Sequence, residues 1–233
     1  GCIIANAAEC EPILLHNIAY LEQNPDVIIR GIKYLMEITN ARTGYIAIKV
    51  KNLKAIKAIN KVLKPEDNIS IKILPDMYPA GDERVIVREI LGVELKPGEL
   101  PSVANAVISN VETVKNVTLA IEQRKPVIDK DLTVVGRVKN ALKGKVFLDV
   151  PIGYPVKKYI EAAGGYVEPH GEIVLGGPFT GKHGEETSPI VKTLGGIIVA
   201  MPFPKEKIAT LKQKAEEEIN SLREKNENDE LSF

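Results

Sequence analysis

Residues 44–74 read GYIAIKVKNLKAIKAINKVLKPEDNISIKIL, and this stretch decides the fold. GYIAIKV (Gly44 to Val50) and NISIKIL (Asn68 to Leu74) are short and rich in isoleucine, which predicts two buried strands. Between them, Asn52 to Leu63 carries Leu53, Ile56, Ile59, Val62 and Leu63 at helical spacing, which predicts a helix with those residues on its inner side. Strand, helix, strand is a βαβ unit. Repeated, it builds a mainly parallel sheet covered by helices.

The rhythm extends both ways. Toward the N-terminus, Cys2 to Ala5 reads as a short buried strand. A helix follows with Asn24 as cap, Pro25 at its first position and Asp26 in its first turn. Val27, Ile28, Ile32, Leu35, Met36 and Ile38 supply its inner face. Toward the C-terminus, a proline-rich loop ends near Gly81, and Glu83 to Leu91 reads as a helix. LKPGELPS is a turn-rich connector, ANAVISN a strand, and Val111 to Gln123 a helix entered over NVET.

After Lys125 the period changes. DLTVVGRV, KVFLDVP and EIVLGGP read as strands, with a short helix in PVKKYIEAAGG, and IVKTLGGIIVAMP adds a strand pair. Two strands, a helix and another strand suggest a β-grasp-like module. Pro204 to Lys225 reads as a charged helix with Ile208, Leu211, Ala215, Ile219 and Leu222 on one stripe, and the rest as a frayed tail. The expected organisation is an α/β domain with a parallel or mixed sheet over residues 1–128, a β-grasp-like domain over 129–203, and a C-terminal helix and tail over 204–233.

Composition narrows the function. Lys plus Arg and Asp plus Glu are 31 each in 233 residues, so the net charge is zero and the basic footprint of a nucleic-acid binder is missing. No apolar run reaches the roughly 18 residues of a membrane span. Two cysteines, Cys2 and Cys10, suit a reducing, cytoplasmic compartment and cannot by themselves hold a four-cysteine iron–sulfur cluster. The three histidines are too scattered to suggest a metal site. Gly1 in place of Met leads to the expectation of an upstream segment of the same protein.

Polar tips follow three of the predicted strands. NAAECEP places Asn6, Glu9 and Glu11 at the carboxyl end of the first strand, where open α/β sheets face their ligands. There the carboxylates can accept from a ribose, an amine or a ring N–H. An acid–base pair of Glu9 and Glu11 is disfavoured, because a turn does not put both on one face. YPAGDER offers Gly81 for a tight loop and Asp82 and Glu83 at a helix start, where capping also explains them. SNVET offers Ser109 or Asn110 as a cap and helix N–H groups able to hold a phosphate. GGPFTGKH imitates a phosphate-binding loop, but His183 stands where Ser or Thr is required and Pro178 removes an N–H. A structural or partner-facing loop is the better reading there.

These segments together resemble a known family. NAAECEP followed by HNIAYLEQNPDVIIRGIKYLMEIT is similar to the flavin-binding region of the NADH-oxidising flavoprotein subunit of respiratory complex I, and more so to the C subunit of Rnf ferredoxin–NAD oxidoreductases. YPAGDER and SNVET resemble the second and third flavin-site segments. MEITNA, GYIAIK, LPDMYP, VVGRVKN, DVPIG and GGPFTGK resemble the Rnf-C-like electron-transfer proteins associated with D-proline reductase, over roughly residues 1–203. The resemblance implies FMN and NADH as cofactors, a soluble-ligand-binding β-grasp domain, and electron transfer to a reductase or other electron-transfer subunits at the periphery of a membrane complex.

It also implies site residues. Asn6 and Glu9 would face the flavin or nicotinamide, Gly81, Asp82 and Glu83 would line the same pocket, and Asn110 and Thr113 would lie at the ribityl or phosphate side. None of them acts as a nucleophile. The chain departs from the complex I pattern at Ala8, where an aspartate is usual, and at Asp82, where a glutamate is usual. The glycine-rich loop and the cluster cysteines of these families are also absent from the sequence. FMN loss from this stretch alone, and a docking role without flavin, are the alternatives that follow.

Overall fold

The computed structural model describes residues 1–203 and 213–220. Its first layer is a four-stranded, wholly parallel sheet in the order β3-β2-β1-β4, with β1 at Cys2–Ala7, β2 at Thr43–Lys49, β3 at Ile69–Leu74 and β4 at Ala106–Asn110. Side chains alternate across β1, as the pleat requires. Ile3, Ala5 and Ala7 face a core built with α1 (His16–Gln23), α2 (Pro25–Thr39), α3 (Leu53–Val62) and α5 (Val111–Gln123). Cys2 and Ile4 face the opposite core, which Ile86 of α4 (Glu83–Leu91) closes. Both faces are covered, so the strands are apolar on both sides.

The second layer is a mixed five-stranded sheet in the order β6-β5-β9-β7-β8. β5 is Asp129–Gly136, β6 Lys145–Pro151, β7 Ile173–Leu175, β8 Lys182–Gly184 and β9 Gly196–Val199. The first and last strands, β5 and β9, are parallel neighbours, whereas β5–β6, β9–β7 and β7–β8 are antiparallel. Helix α6 (Lys157–Ala162) covers this sheet through Ile160, packed with Leu132, Val134 and Ile197. The β-grasp-like expectation is met in this order of strands.

Several local expectations need correction. A helix absent from the sequence-based expectation, α1, precedes α2, and Asn24 serves as the last cap of one and the first of the other without a side-chain capping bond. On α2 the fully buried positions are Ile28 and Ile32 with Ile29 close behind, whereas Ile38 is 70% exposed. On α3 the buried residues are Ala55 and Ile59, and Leu53 and Val62 point outward. The strand pair expected in 190–202 is a single strand, β9, which pairs antiparallel with β7 and parallel with β5, both earlier in the chain. GKHG, read as loop, supplies β8. Residues 213–220 are helical and exposed, while Ile208, Leu211 and Leu222 of the expected stripe lie outside the described residues. Among the described residues, no helix is long and apolar enough to cross a membrane.

Candidate functional site

The carboxyl edge of the parallel sheet is where the chain changes direction. From β1 it runs outward to β2 and β3, then returns to place β4 on the other side of β1. Such a switch point opens a crevice between β1 and β4. Asn6 and Asn110 stand there as register partners on β1 and β4.

Asn6 fastens this edge. Its side-chain N–H donates to the Gly81 carbonyl at 3.0 Å, and its Oδ1 accepts from Ala8 N–H at 3.0 Å. Gly81 is glycine because the backbone passes close: a Cβ there would overlap the Ala8 carbonyl oxygen and lie 2.7 Å from Cys10 Sγ. Asn110 Oδ1 caps α5 by accepting from Glu112 N–H at 2.8 Å, and Asp82 caps α4 by accepting from Arg84 N–H at 2.9 Å. Caps therefore account for one oxygen of each residue. Asn6 and Asn110 each retain side-chain N–H capacity, since an amide carries two donor hydrogens.

The seven expected site residues are brought together only in part. Asn6, Gly81 and Asn110 share the switch-point edge. Asn110 and Thr113 line a hollow of about 220 Å³ with Lys130 and Lys192. Glu9 instead borders a cleft of about 300 Å³ on the β2 side, with Tyr78, Lys49 and Phe179. Asp82 lines a third hollow, of about 430 Å³, with Arg84 and Arg88, and Glu83 sits exposed in the first turn of α4.

Three further residues carry the geometry; the sequence pattern placed only Glu11 among the ligand-facing candidates and singled out neither Lys115 nor His16. Glu11 reaches across to the second sheet, where Oε2 accepts from Phe179 N–H at 2.9 Å and Oε1 from Thr180 N–H at 2.9 Å and from the Thr180 hydroxyl. GGPFTGK is thus a docking loop for the first strand's tip. Lys115 of α5, fully buried, donates to Asp131 and Asp149 of the second sheet. Burial alone would lower its pKa, but those carboxylates outweigh it and hold the ammonium above its ordinary value. The available signal was its position between Val111, Val114 and Thr118 on the inner face of α5.

His16, 3% exposed, starts α1 against β5. Thr133 Oγ1 accepts from Leu15 N–H at 2.9 Å and His16 N–H at 3.1 Å, which leaves its own proton for His16 Nδ1 at 3.3 Å. The ring is therefore neutral, with its proton on Nε2. Burial, then the nearby Lys130 charge, lowers its pKa to about 3.

With the fold and this edge described, the class follows. Residues 1–119 match the Nuo51 FMN-binding domain family, and the chain belongs to that family. Among its relatives, the cobalamin reductase PduS of Salmonella typhimurium is 40% identical over 199 residues, covering 84% of this chain and 42% of that protein. The C subunit of the Na(+)-translocating ferredoxin:NAD(+) oxidoreductase complex of Acetobacterium woodii is 28% identical over 198 residues, covering 84% of this chain and 44% of that one. The chain thus spans less than half the length of these relatives. An NAD+-reducing NiFe hydrogenase structure shares the fold with a TM-score of 0.68 at 17% identity, over 86% of this chain and 40% of that one.

Proposed function

We propose that this chain is the flavin-binding part of an electron-transfer flavoprotein that takes electrons from NADH or reduced ferredoxin and delivers them to a reductase. Residues 1–128 serve the cofactor, and residues 129–203 form the domain that braces it. D-proline reductase is the acceptor the sequence resemblance favours. The 40% identity to a cobalamin reductase makes a cobalamin the second acceptor to test.

The observation that carries the reading is the pairing of Asn6 and Asn110 across the switch point, within the segment that matches an FMN-binding family. The donor set suits a flavin. Asn6 and Asn110 keep free amide hydrogens for ring or ribityl oxygens, and Thr113 adds a hydroxyl beside Asn110. Glu9 binds Glu11 N–H and the Asn17 amide through one lone pair on each oxygen, so it keeps acceptor capacity for a ring N–H. When bound, FMN supplies two-electron acceptance from a hydride donor and one-electron release to metal centres. The protein's own work is to orient the ring and fix its hydrogen bonds.

The test is reconstitution of the full-length protein with FMN, read by visible absorbance. Asn110→Asp is the informative variant, because aspartate keeps the helix cap and removes the amide donors. It is expected to weaken FMN binding without changing the melting temperature, and Glu9→Ala to weaken it as well. A protein that stays colourless after reconstitution and has no affinity for NADH would overturn the reading. Once flavin is bound, NADH-driven reduction of D-proline reductase or of a cobalamin separates the two acceptors.

A further inference from the structure

The two sheets end in four edge strands, β3 and β4 on the parallel sheet and β6 and β8 on the mixed one. An edge strand offers unpaired backbone N–H and C=O groups to any other extended chain, and charged residues or proline along it keep such chains away. Three of these edges carry that protection. β3 contains Lys72, β6 contains Lys145, Asp149 and Pro151, and β8 begins with Lys182. β4 reads AVISN, with neither a charge nor a proline. Among the described residues it pairs with β1 alone, so its outer side is open.

The side chains around β4 suit a covered edge. Ala106 is buried and Ile108 half-buried on the face that α4 closes, whereas Val107, on the opposite face, is 41% exposed. The turn that leads into the strand, Pro101–Ala104, carries Val103, and Leu100 stands just before it; they are 61% and 67% exposed. Exposed apolar side chains next to unpaired strand backbone mark an interaction surface.

The strand's own sequence indicates the occupant. Two copies of β4 related by a two-fold axis through Ile108 run antiparallel. Ala106 then stands opposite Asn110 of the second copy, Val107 opposite Ser109, and Ile108 opposite its own equivalent. No pair sets like charges together. The two Ile108 side chains meet on the α4 side, where each extends a core that already holds Ala106 and Ile86. So short a strand gives a lone peptide few hydrogen bonds, whereas a second copy also brings an identical apolar patch. Self-complementary surfaces of this kind make the isologous contacts of two-fold dimers.

We propose that β4 pairs with β4 of a second copy of this chain, joining their two parallel sheets into one.

Sedimentation equilibrium of the chain, and of the full-length protein that contains it, tests the pairing. Both are expected to show a reversible monomer–dimer equilibrium. Val107→Lys gives β4 the protection that β3 has in Lys72, and it is expected to weaken the dimer by about tenfold or more with an unchanged circular dichroism spectrum. Ile108→Cys gives a second readout. Because residue 108 faces its own equivalent, mild oxidation should link two chains by a disulfide. Ile73→Cys, on the other edge of the same sheet and 52% exposed, should not link, and wild type with its free Cys2 and Cys10 sets the background. Should Val107→Lys fail to fold, the two cysteine variants decide. A single-chain mass at every concentration, a full-length protein that stays monomeric, a dimer undisturbed by Val107→Lys, or linking at residue 73 as ready as at 108 would each overturn the pairing.

Discussion

Lys115 on α5 donates to both carboxylate oxygens of Asp131 on β5, each at 2.8 Å, and this pair locks the parallel sheet's last helix to the second sheet. Asp149 of β6 is the second carboxylate partner, at 2.8 Å, and the ammonium lies 4.5 Å from the centre of the Tyr20 ring. Taking these charges out of water is expensive. Removing one member leaves the others uncompensated, which is the costlier state. Lys115→Met is expected to lower unfolding stability by about 3–5 kcal/mol, measured by urea titration. Adding Asp131→Asn should recover part of that loss, because the orphaned carboxylate is then gone. A Lys115→Met loss below about 1 kcal/mol, the range of exposed pairs, would mean the network does not bear on stability.

His16 makes stability depend on acid. Its folded pKa of about 3 lies below the ordinary histidine value of 6.5, so the unfolded chain binds the proton first. The stability it contributes is complete above pH 6.5 and is lost as pH falls toward 3. A His16→Gln variant lacks this titration. The wild-type advantage over it should shrink by about 1.4 kcal/mol per pH unit between roughly pH 6 and 4. Comparing the two proteins cancels the carboxylates that titrate in the same range. Parallel stability curves would show that His16 is protonated in the folded protein.

Gly81 couples packing to the crevice. A methyl group at this position overlaps the backbone carbonyl of Ala8, so the loop after β3 must retreat from the β1 tip. The Asn6–Gly81 hydrogen bond then lengthens or breaks. Gly81→Ala is expected to cost about 1–3 kcal/mol, as overpacking does, and to weaken FMN retention. Differential scanning calorimetry and flavin absorbance read the two effects. Wild-type values in both would show that the loop can shift freely.

The α/β half of the fold was legible because its boundaries carry local chemistry. Asp82 and Asn110 cap their helices by bonds to residues two positions on, and α4 and α5 begin where the sequence places them. α1 was not legible, because Leu15 at its start makes no side-chain cap and the strong Asn24–Pro25 signal belongs to the next helix. β8 is three residues long and polar, too short for any period to appear. Of the site, the strand tips were legible as polar turns after apolar runs. Lys115 and Lys49 were not, since lysines on a helix and at a strand end ordinarily face water, and their burial depends on what packs over them.

Glu11 illustrates the harder case, since its partner Thr180 is 169 residues away. The carboxylate takes two backbone N–H groups and a hydroxyl from one loop, an arrangement that only an acceptor with two oxygens can satisfy. The loop also comes close enough that a Cβ on Gly177 would overlap the Glu11 side chain, which leaves no space for a side chain at 177. Glu11→Ala should therefore free the 177–180 loop without unfolding either sheet, at a cost of about 1–3 kcal/mol. Amide hydrogen exchange is the direct measurement. Phe179 and Thr180 should exchange much faster in the variant, while amides in β1 and β9 keep their protection. Glu11→Gln should be intermediate, because its one remaining oxygen can accept from either amide but not both in the same geometry. Unchanged exchange at Phe179 and Thr180 in Glu11→Ala would show that Tyr78, packed edge to face on Phe179, is enough to hold the loop.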